Sequence, residues 1–162
     1  MDSNPIVGEV RRAIPDDATK IAEIESKCFS EPWSEQMLRS YILQGADVFV
    51  VSTEGEMCGF SVLDRSLVTE AEIHNVAILP EYRGKKLSRL LMDAMVSTAR
   101  ENGVTRIMLE VRASNQAAIS LYTAYGFEKV GIRAGYYRNP TENAILMDLM
   151  LDTNQAQKKE TE

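Results

Sequence analysis

Apolar positions recur along this chain with two alternating periods, and the switches between them lay out a mixed α/β order. Val7 to Ala13 reads as a first strand. Pro15, Asp16 and Asp17 then open a helix whose apolar stripe is Ile21, Ile24, Cys28 and Phe29. Ser34 is a good N-cap with Gln36 and Met37 after it, which predicts a second helix from Glu35 to about Leu43. Val48-Phe49-Val50-Val51 is a short strand, Glu54-Gly55-Glu56 a turn, and Cys58 to Leu63 its hairpin partner. Glu70 to Ile78 reads as a further strand that ends at Pro80. The clearest helix follows, with Leu87, Leu90, Leu91, Ala94, Met95 and Thr98 on one face and Asn102-Gly103 as its stop. Arg106 to Val111 is a strand and Asn115 to Tyr125 a helix stopped by Gly126. Glu128 to Ile132 and Asn143 to Leu151 close the pattern as strands. Strands first, then strand–helix–strand–helix–strand, imply a mixed sheet with helices on its faces.

Composition narrows this picture. A chain of 162 residues fits about one domain, and neither a repeat nor a long linker divides it. The expected domain is 1–151, with 152–162 as a disordered tail because almost nothing in it is apolar. Eighteen Lys and Arg against 24 Asp and Glu give a net charge of −6, which argues against attachment to nucleic-acid phosphates by bulk charge. Met1 to Glu9 carries two acids and no apolar core, so export is not expected. No apolar run approaches the length of a membrane span, and a soluble, cytoplasmic protein is expected. Cys28 and Cys58 form no CxxC pair and the chain has one His, so both thiols read as reduced, buried small hydrophobes and no metal site is expected.

Three segments carry candidate chemistry. In the first, a strand through Val76-Ala77-Ile78 ends, the basic turn Arg83-Gly84-Lys85-Lys86 follows, and Leu87-Ser88-Arg89 begins a helix. The first turn of a helix has unpaired N–H groups and the positive end of the dipole, so it suits an anion. Four cations there oppose the dipole at about 0.3–1 kcal/mol each, a conflict that a bound phosphate removes. A solvated basic turn is the plain alternative. The segment is not a P-loop, which requires Gly-Lys-Ser/Thr at its end.

In the second, Leu109-Glu110-Val111-Arg112-Ala113-Ser114-Asn115, Glu110 emerges near the end of an apolar strand. A carboxylate partly desolvated at such a place suits proton removal from an amine, although an edge-strand Glu facing solvent reads the same way. Asn115 is a natural N-cap for the next helix. In the third, Tyr122 lies beside the stripe of Ala118, Leu121 and Tyr125, where most tyrosines are core residues. Tyr136-Tyr137 reads as a rim, a core pair or a substrate surface. His74, the only histidine, alternates with Val76 and Ile78 and is a fallback base.

Together these segments carry a resemblance. Val76-Ala77-Ile78-Leu79-Pro80-Glu81-Tyr82-Arg83-Gly84-Lys85-Lys86-Leu87-Ser88-Arg89-Leu90-Leu91 resembles the acetyl-CoA signature of the GCN5-related N-acetyltransferases (GNAT). Leu109 to Asn115, Pro32-Trp33-Ser34-Glu35, Tyr136-Tyr137 and Glu142-Asn143-Ala144 resemble the ribosomal-protein-alanine N-acetyltransferase group within it, over about Val10 to Leu149. Two features depart from the pattern. Lys86 and Ser88 stand at the two small positions of the pyrophosphate turn, where the group reads Arg/Gln-x-x-Gly-x-Gly/Ala, and Asn143 stands where the group often has Asp. A helix start does not call for positive φ, so Lys86 is expected to be accommodated with its side chain outward.

The resemblance implies a GNAT fold: a mixed, mostly antiparallel sheet of about six to seven strands flanked by about four helices. It implies acetyl-CoA as co-substrate and no metal. The pantetheine arm would pair with the backbone of Val76, Ala77 and Ile78 where that strand splays from its neighbour, and Asn115 would contact the arm. The pyrophosphate would take Arg83, Gly84, Lys85, Lys86, Leu87, Ser88 and Arg89. Glu110 would be the general base, Tyr122 the general acid, and a strand N–H the oxyanion donor. Pro32, Trp33 and Tyr137 would wall a peptide groove. The implied acceptor is a protein N-terminal amine, above all the N-terminal Ala of a basic small-subunit ribosomal protein, which a net charge of −6 suits. A lysine side chain, a small-molecule amine and a non-catalytic acyl-CoA sensor stay open, and a monomer or weak dimer is expected.

Overall fold

The computed structural model describes residues 7–151; the expected tail 152–162 and the first six residues lie outside them. The described residues form seven strands, four α-helices and two 3-10 turns, Pro15–Asp17 and Pro80–Tyr82, in agreement with the expected α/β class. The strands β1 (Glu9–Arg12), β2 (Asp47–Thr53), β3 (Glu56–Asp64), β4 (Glu70–Ile78), β5 (Arg106–Arg112), β6 (Glu128–Tyr137) and β7 (Glu142–Met150) are hydrogen-bonded in the order β1-β2-β3-β4-β5-β7-β6. The pairs β1–β2, β2–β3, β5–β7 and β6–β7 run antiparallel and β4–β5 runs parallel, so the sheet is mixed. The helices are α1 (Ala18–Cys28), α2 (Glu35–Leu43), α3 (Leu87–Glu101) and α4 (Gln116–Ala124). None of the described helices is long and apolar enough to cross a membrane.

Residue contacts divide the chain into two compact units. The first runs to Leu63 and includes Asn75–Val96. Its core joins Ala18, Ile21 and Ile24 of α1 and Leu38 of α2 to Val48, Val50, Phe60, Val62 and Ala77 of β2, β3 and β4. The helix α2 has the expected bounds, and its cap is the expected one, Ser34 accepting the Met37 N–H at 3.2 Å. Phe29 departs from expectation: it lies just past α1 with extended backbone and is 38% exposed rather than on the buried stripe. Gly59 of β3 lets β4 approach closely, since a Cβ there would lie 2.5 Å from the Ala77 carbonyl oxygen.

The second unit holds Asp64–His74 and the chain from Ser97. Parallel pairing joins Glu70–Ile73 to Arg106–Leu109, and β5 alternates buried and half-buried positions along its length. That period of two buries Ile107, Leu109 and Val111 and turns Met108 and Glu110 to the other face. The strand β6 continues five residues beyond the expected end at Ile132, because its pairing with β7 resumes at Tyr137↔Glu142 after an irregularity that begins at Arg133. Most of β6 is exposed, so no alternation of apolar residues marks it in the sequence.

Candidate active site

The basic turn belongs to the first unit. Leu79 donates its N–H to the Cys58 carbonyl at 2.8 Å, and a single 3-10 turn over Pro80–Tyr82 carries the chain away from β4. Arg83 then folds back, its Nε donating to the Ile78 carbonyl at 2.9 Å. Gly84 and Lys86 both adopt left-handed backbone, with φ of 81° and 62°. The expectation of an unstrained Lys86 is therefore overturned: the reversal into α3 demands positive φ at this position. A non-glycine residue there costs about 1–2 kcal/mol, which gives a physical reason for the small residue usual in the resembling group. The Lys86 side chain is exposed, as expected. Lys85 lies over the Tyr82 ring at 5.5 Å, Arg89 is exposed, Ser88 half-buried, and Leu87 is buried as the anchor of α3. Val76 is half-buried, and Ala77 and Ile78 are buried.

The same unit holds the Pro32-Trp33 segment between α1 and α2. Pro32 is exposed, while Trp33 is half-buried and stacked on Tyr41 with centroids 5.0 Å apart. Behind it lies a residue the sequence reading passed over. Glu25 sits on the buried face of α1 at 1% exposure, and accepts from the Trp33 N–H at 3.2 Å and from Asn75 Nδ2 at 2.9 and 3.1 Å. Loss of water pushes its carboxyl up to about 7, with the Trp33 and Asn75 bonds opposing. The signal was available: an acid at i+4 from Ile21 and one residue past Ile24 interrupts an apolar stripe. Cys28 is half-buried, less enclosed than expected, and burial raises its thiol; Cys58 is fully buried.

The candidate acid–base residues belong to the second unit. Glu110 projects from β5 with a fifth of its side chain exposed, and Arg133 Nη2 of β6 lies 3.3 Å from its Oε1. The Tyr136 hydroxyl also bonds to Glu110, and the carboxylate's charge holds that phenol above its usual range. The Arg133 guanidinium stacks over the Tyr136 ring at 5.0 Å. The pairing irregularity in β6 makes this possible, since bulged strands re-aim their side chains. Gly135 (φ 61°) sits within it and donates its N–H to Asn143 Oδ1 at 2.9 Å. Asn143 thus has a local role in shaping the hairpin.

Tyr122 is 7% exposed on α4, its ring tilted against Phe127 at 5.7 Å. Burial, reinforced by Tyr137, raises its pKa far above the ordinary phenol, so it carries its proton at neutral pH. Tyr137 is half-buried, edge-on to Tyr136 at 5.1 Å and under the Arg112 guanidinium at 4.5 Å, and burial pushes its hydroxyl up to about 12. Arg112 also donates to the Arg138 and Pro140 carbonyls at 2.9 and 3.1 Å and pairs with Glu142, which accepts the Ser114 N–H. Asn115 caps α4 through the Ala118 N–H at 3.1 Å. His74, the fallback base, lies 3.1 Å from Asp64 Oδ2 and 3.9 Å from Glu72. Desolvation works to raise Asp64, but the bonds from His74 and Ser66 outweigh it and hold the carboxyl low. Among the described residues, no group of three or more His, Cys, Asp or Glu is placed to hold a metal ion.

Comparison with known proteins adds a decisive match: the model of the acetyltransferase (GNAT) family covers residues 18–127. The chain belongs to the GNAT acetyltransferase family. Membership makes it an acetyl-CoA-dependent N-acetyltransferase. This acetyltransferase is 36% identical over 130 residues to the [ribosomal protein bS18]-alanine N-acetyltransferase of Escherichia coli K12, covering 78% of this chain and 86% of that one. It is 33% identical over 153 residues to the N-alpha-acetyltransferase RimI of Mycobacterium tuberculosis, covering 90% and 93%. Its fold superposes on the crystal structure of the E. coli ribosomal-protein-S18-alanine N-acetyltransferase with a TM-score of 0.81 and 31% identity, covering 91% of this chain and 98% of that one.

Proposed function

We propose that this acetyltransferase moves the acetyl group of acetyl-CoA to a protein N-terminal α-amine, with the N-terminal Ala of ribosomal protein bS18 as the favoured acceptor. The reading is supported by the E. coli relative, which is named for that acceptor, and by the M. tuberculosis relative, which is named as an N-alpha-acetyltransferase. The observation that carries the chemistry is Glu110, a strand-end carboxylate set against Arg133 and the Tyr136 hydroxyl, in the same unit as a buried, protonated Tyr122. A cation already rests on Glu110, and an α-ammonium is a cation of similar demand. An α-amine has an ordinary pKa of about 7.7–8.0 against about 10.4 for Lys, so its proton passes to a carboxylate at lower cost.

In this reading Glu110 takes one proton from the ammonium, directly or through one water. The freed lone pair attacks the thioester carbonyl carbon, and a backbone N–H takes the charge that develops on its oxygen. The carbon–sulfur bond then breaks, the thiolate takes the Tyr122 proton, and the second proton of the amide nitrogen passes back to Tyr122 through water. This leaves an amide, free CoA thiol and a protonated Glu110 that returns its proton to solvent. The backbone of Val76, Ala77 and Ile78 holds the pantetheine arm with help from Asn115. Ile78 does so with its carbonyl already accepting from Arg83. The turn from Arg83 to Arg89 takes the pyrophosphate on its amides and cations. Pro32, Trp33 and Tyr137 face the acceptor peptide. Residues 1–151 act as one catalytic domain, in the cytoplasm where ribosomal proteins are made.

The test uses acetyl-CoA and two peptides read by mass spectrometry. One begins with a free Ala and copies the ribosomal N-terminus; the other has a blocked N-terminus and an internal Lys. A single acetyl group on the Ala peptide alone is the expected result. Transfer to the Lys peptide alone overturns the acceptor, and no transfer to either overturns the catalytic reading.

A further inference from the structure

We propose that Glu25 is a positioning residue that ties the acceptor-facing Trp33 segment to the donor-binding end of β4, so that its ionisation state sets the geometry of Trp33. The proposal deepens the function above and rests on it for the roles of Trp33 and Val76–Ile78.

Helix α1 is stitched to β4 at two points of matching spacing. Glu25 receives Asn75 Nδ2, and Cys28, one turn later, directs its Sγ to the Ile78 carbonyl at 3.6 Å. The two contacts bracket Val76 and Ala77. The Ile78 carbonyl also receives Arg83 Nε, and Arg83 Nη2 lies 3.8 Å from Cys28 Sγ, so the basic turn hangs on the same joint. On its other side Glu25 receives the Trp33 N–H. One carboxylate thus joins the loop before α2, the strand β4 and, through its own helix, the turn before α3.

A buried carboxylate is an expensive choice for a joint, since among the described residues the donors that reach Glu25 are neutral. A well-packed apolar residue would fill the volume at lower cost. What a carboxylate adds is acceptor capacity on both oxygens at once, matched here by an N–H on one side and an amide NH2 that spans both oxygens. Protonation turns one oxygen into a donor facing the Asn75 amide and breaks that match. Among the described residues, the charged and titratable groups around the joint include Cys28 on α1, Tyr41 on α2 stacked on Trp33, Arg83 and Glu81 in the turn after β4, and Glu25 itself; both acids raise the Cys28 thiol and Arg83 lowers it. The desolvated carboxyl's value near 7 places the change within the working range.

Trp33 is the only tryptophan of the chain, so it reports on this joint without any substrate. Fluorescence of the full chain is recorded from pH 5 to 9 for the wild type, Glu25→Gln and His74→Gln. The proposal expects a step near neutral pH in the wild type and in His74→Gln, and no step in Glu25→Gln. A step that persists in Glu25→Gln, or one that disappears in His74→Gln instead, overturns it. Kinetics supply the second readout. Glu25→Ala and Glu25→Gln are both expected to raise KM for the acceptor peptide about tenfold at a pH-independent level, because the Gln amide, like the protonated carboxyl, turns a donor towards Asn75. Equal loss of kcat in both variants with an unchanged acceptor KM overturns the proposal. Failure of the Ala peptide as acceptor for the wild type strikes the function above instead, and the fluorescence titration still decides the joint.

Discussion

Two carboxylates of this acetyltransferase show how surroundings divide one chemistry into two roles. Glu110 stands at the end of a strand, a fifth exposed, with a guanidinium 3.3 Å away and a phenol bonded to it. Glu25 lies on the inner face of a helix with 1% exposure and only neutral donors reaching it among the described residues. The first is accessible to an incoming amine and already accommodates positive charge, as a base for an ammonium requires. The second meets no solvent and cannot take part in group transfer, but it fixes three elements at once. Access and partners, rather than residue type, separate the proposed base from the proposed joint.

The contrast is broken most severely at Glu110. Glu110→Gln should lower kcat by roughly 10²–10⁴ while leaving the Kd for acetyl-CoA close to that of the wild type, as calorimetry would read. An unchanged rate moves the base to His74. The next effect is thermodynamic and belongs to Glu25. Its carboxyl is held near 7 in the folded chain against about 4.3 when unfolded, so the native state binds this proton more tightly. The stability it contributes is therefore greatest below about pH 4.5 and declines as pH rises towards 7. Urea unfolding should show Glu25→Gln gaining on the wild type across that window by at most roughly 3 kcal/mol. A difference that does not vary with pH contradicts the burial assigned here. Asp17, Asp64 and Glu142 have lowered values and act in the opposite sense, losing stability in acid, but they are common to both proteins and cancel in the comparison.

Smaller effects sharpen the picture. Tyr122→Phe keeps the ring against Phe127 and removes only the proton, so kcat should drop by about 10–100-fold with little change in Tm. A rate equal to the wild type would leave Tyr122 a core residue. At the turn, Lys86→Gly relieves the left-handed side chain and should raise stability by about 1 kcal/mol, read as a higher Tm. A fall in Tm would mean that the lysine's contacts outweigh its strain.

How far the sequence revealed this architecture depended on how local each signal was. The helix α2 was legible to the residue because its start depends on Ser34 and the next three positions. The succession of strands and helices along the chain followed from the apolar pattern within each segment, whereas the order of strands in the sheet did not. The candidate base was legible as well, since an acid closing an apolar strand stands out. Its partner Arg133 was not: it lies on an edge strand that alternates poorly, and only a bulge brings it to Glu110. Glu25 was hidden for a different reason. Its meaning depends on Asn75, 50 residues away, and without that partner an acid in an apolar stripe is only an interruption. Lys86 was misread because a sequence does not display the sign of φ.

The central claim is that Glu110 draws the proton from an N-terminal α-amine. The most direct measurement is a competition within one peptide that carries both a free N-terminal Ala and an internal Lys, incubated with acetyl-CoA and either the wild type or Glu110→Gln. Fragment masses assign each acetyl group to its nitrogen. The account predicts acetylation of the α-nitrogen alone by the wild type, slowed at least a hundredfold by the substitution. Acetyl groups on the lysine, or equal rates for the two proteins, would contradict it.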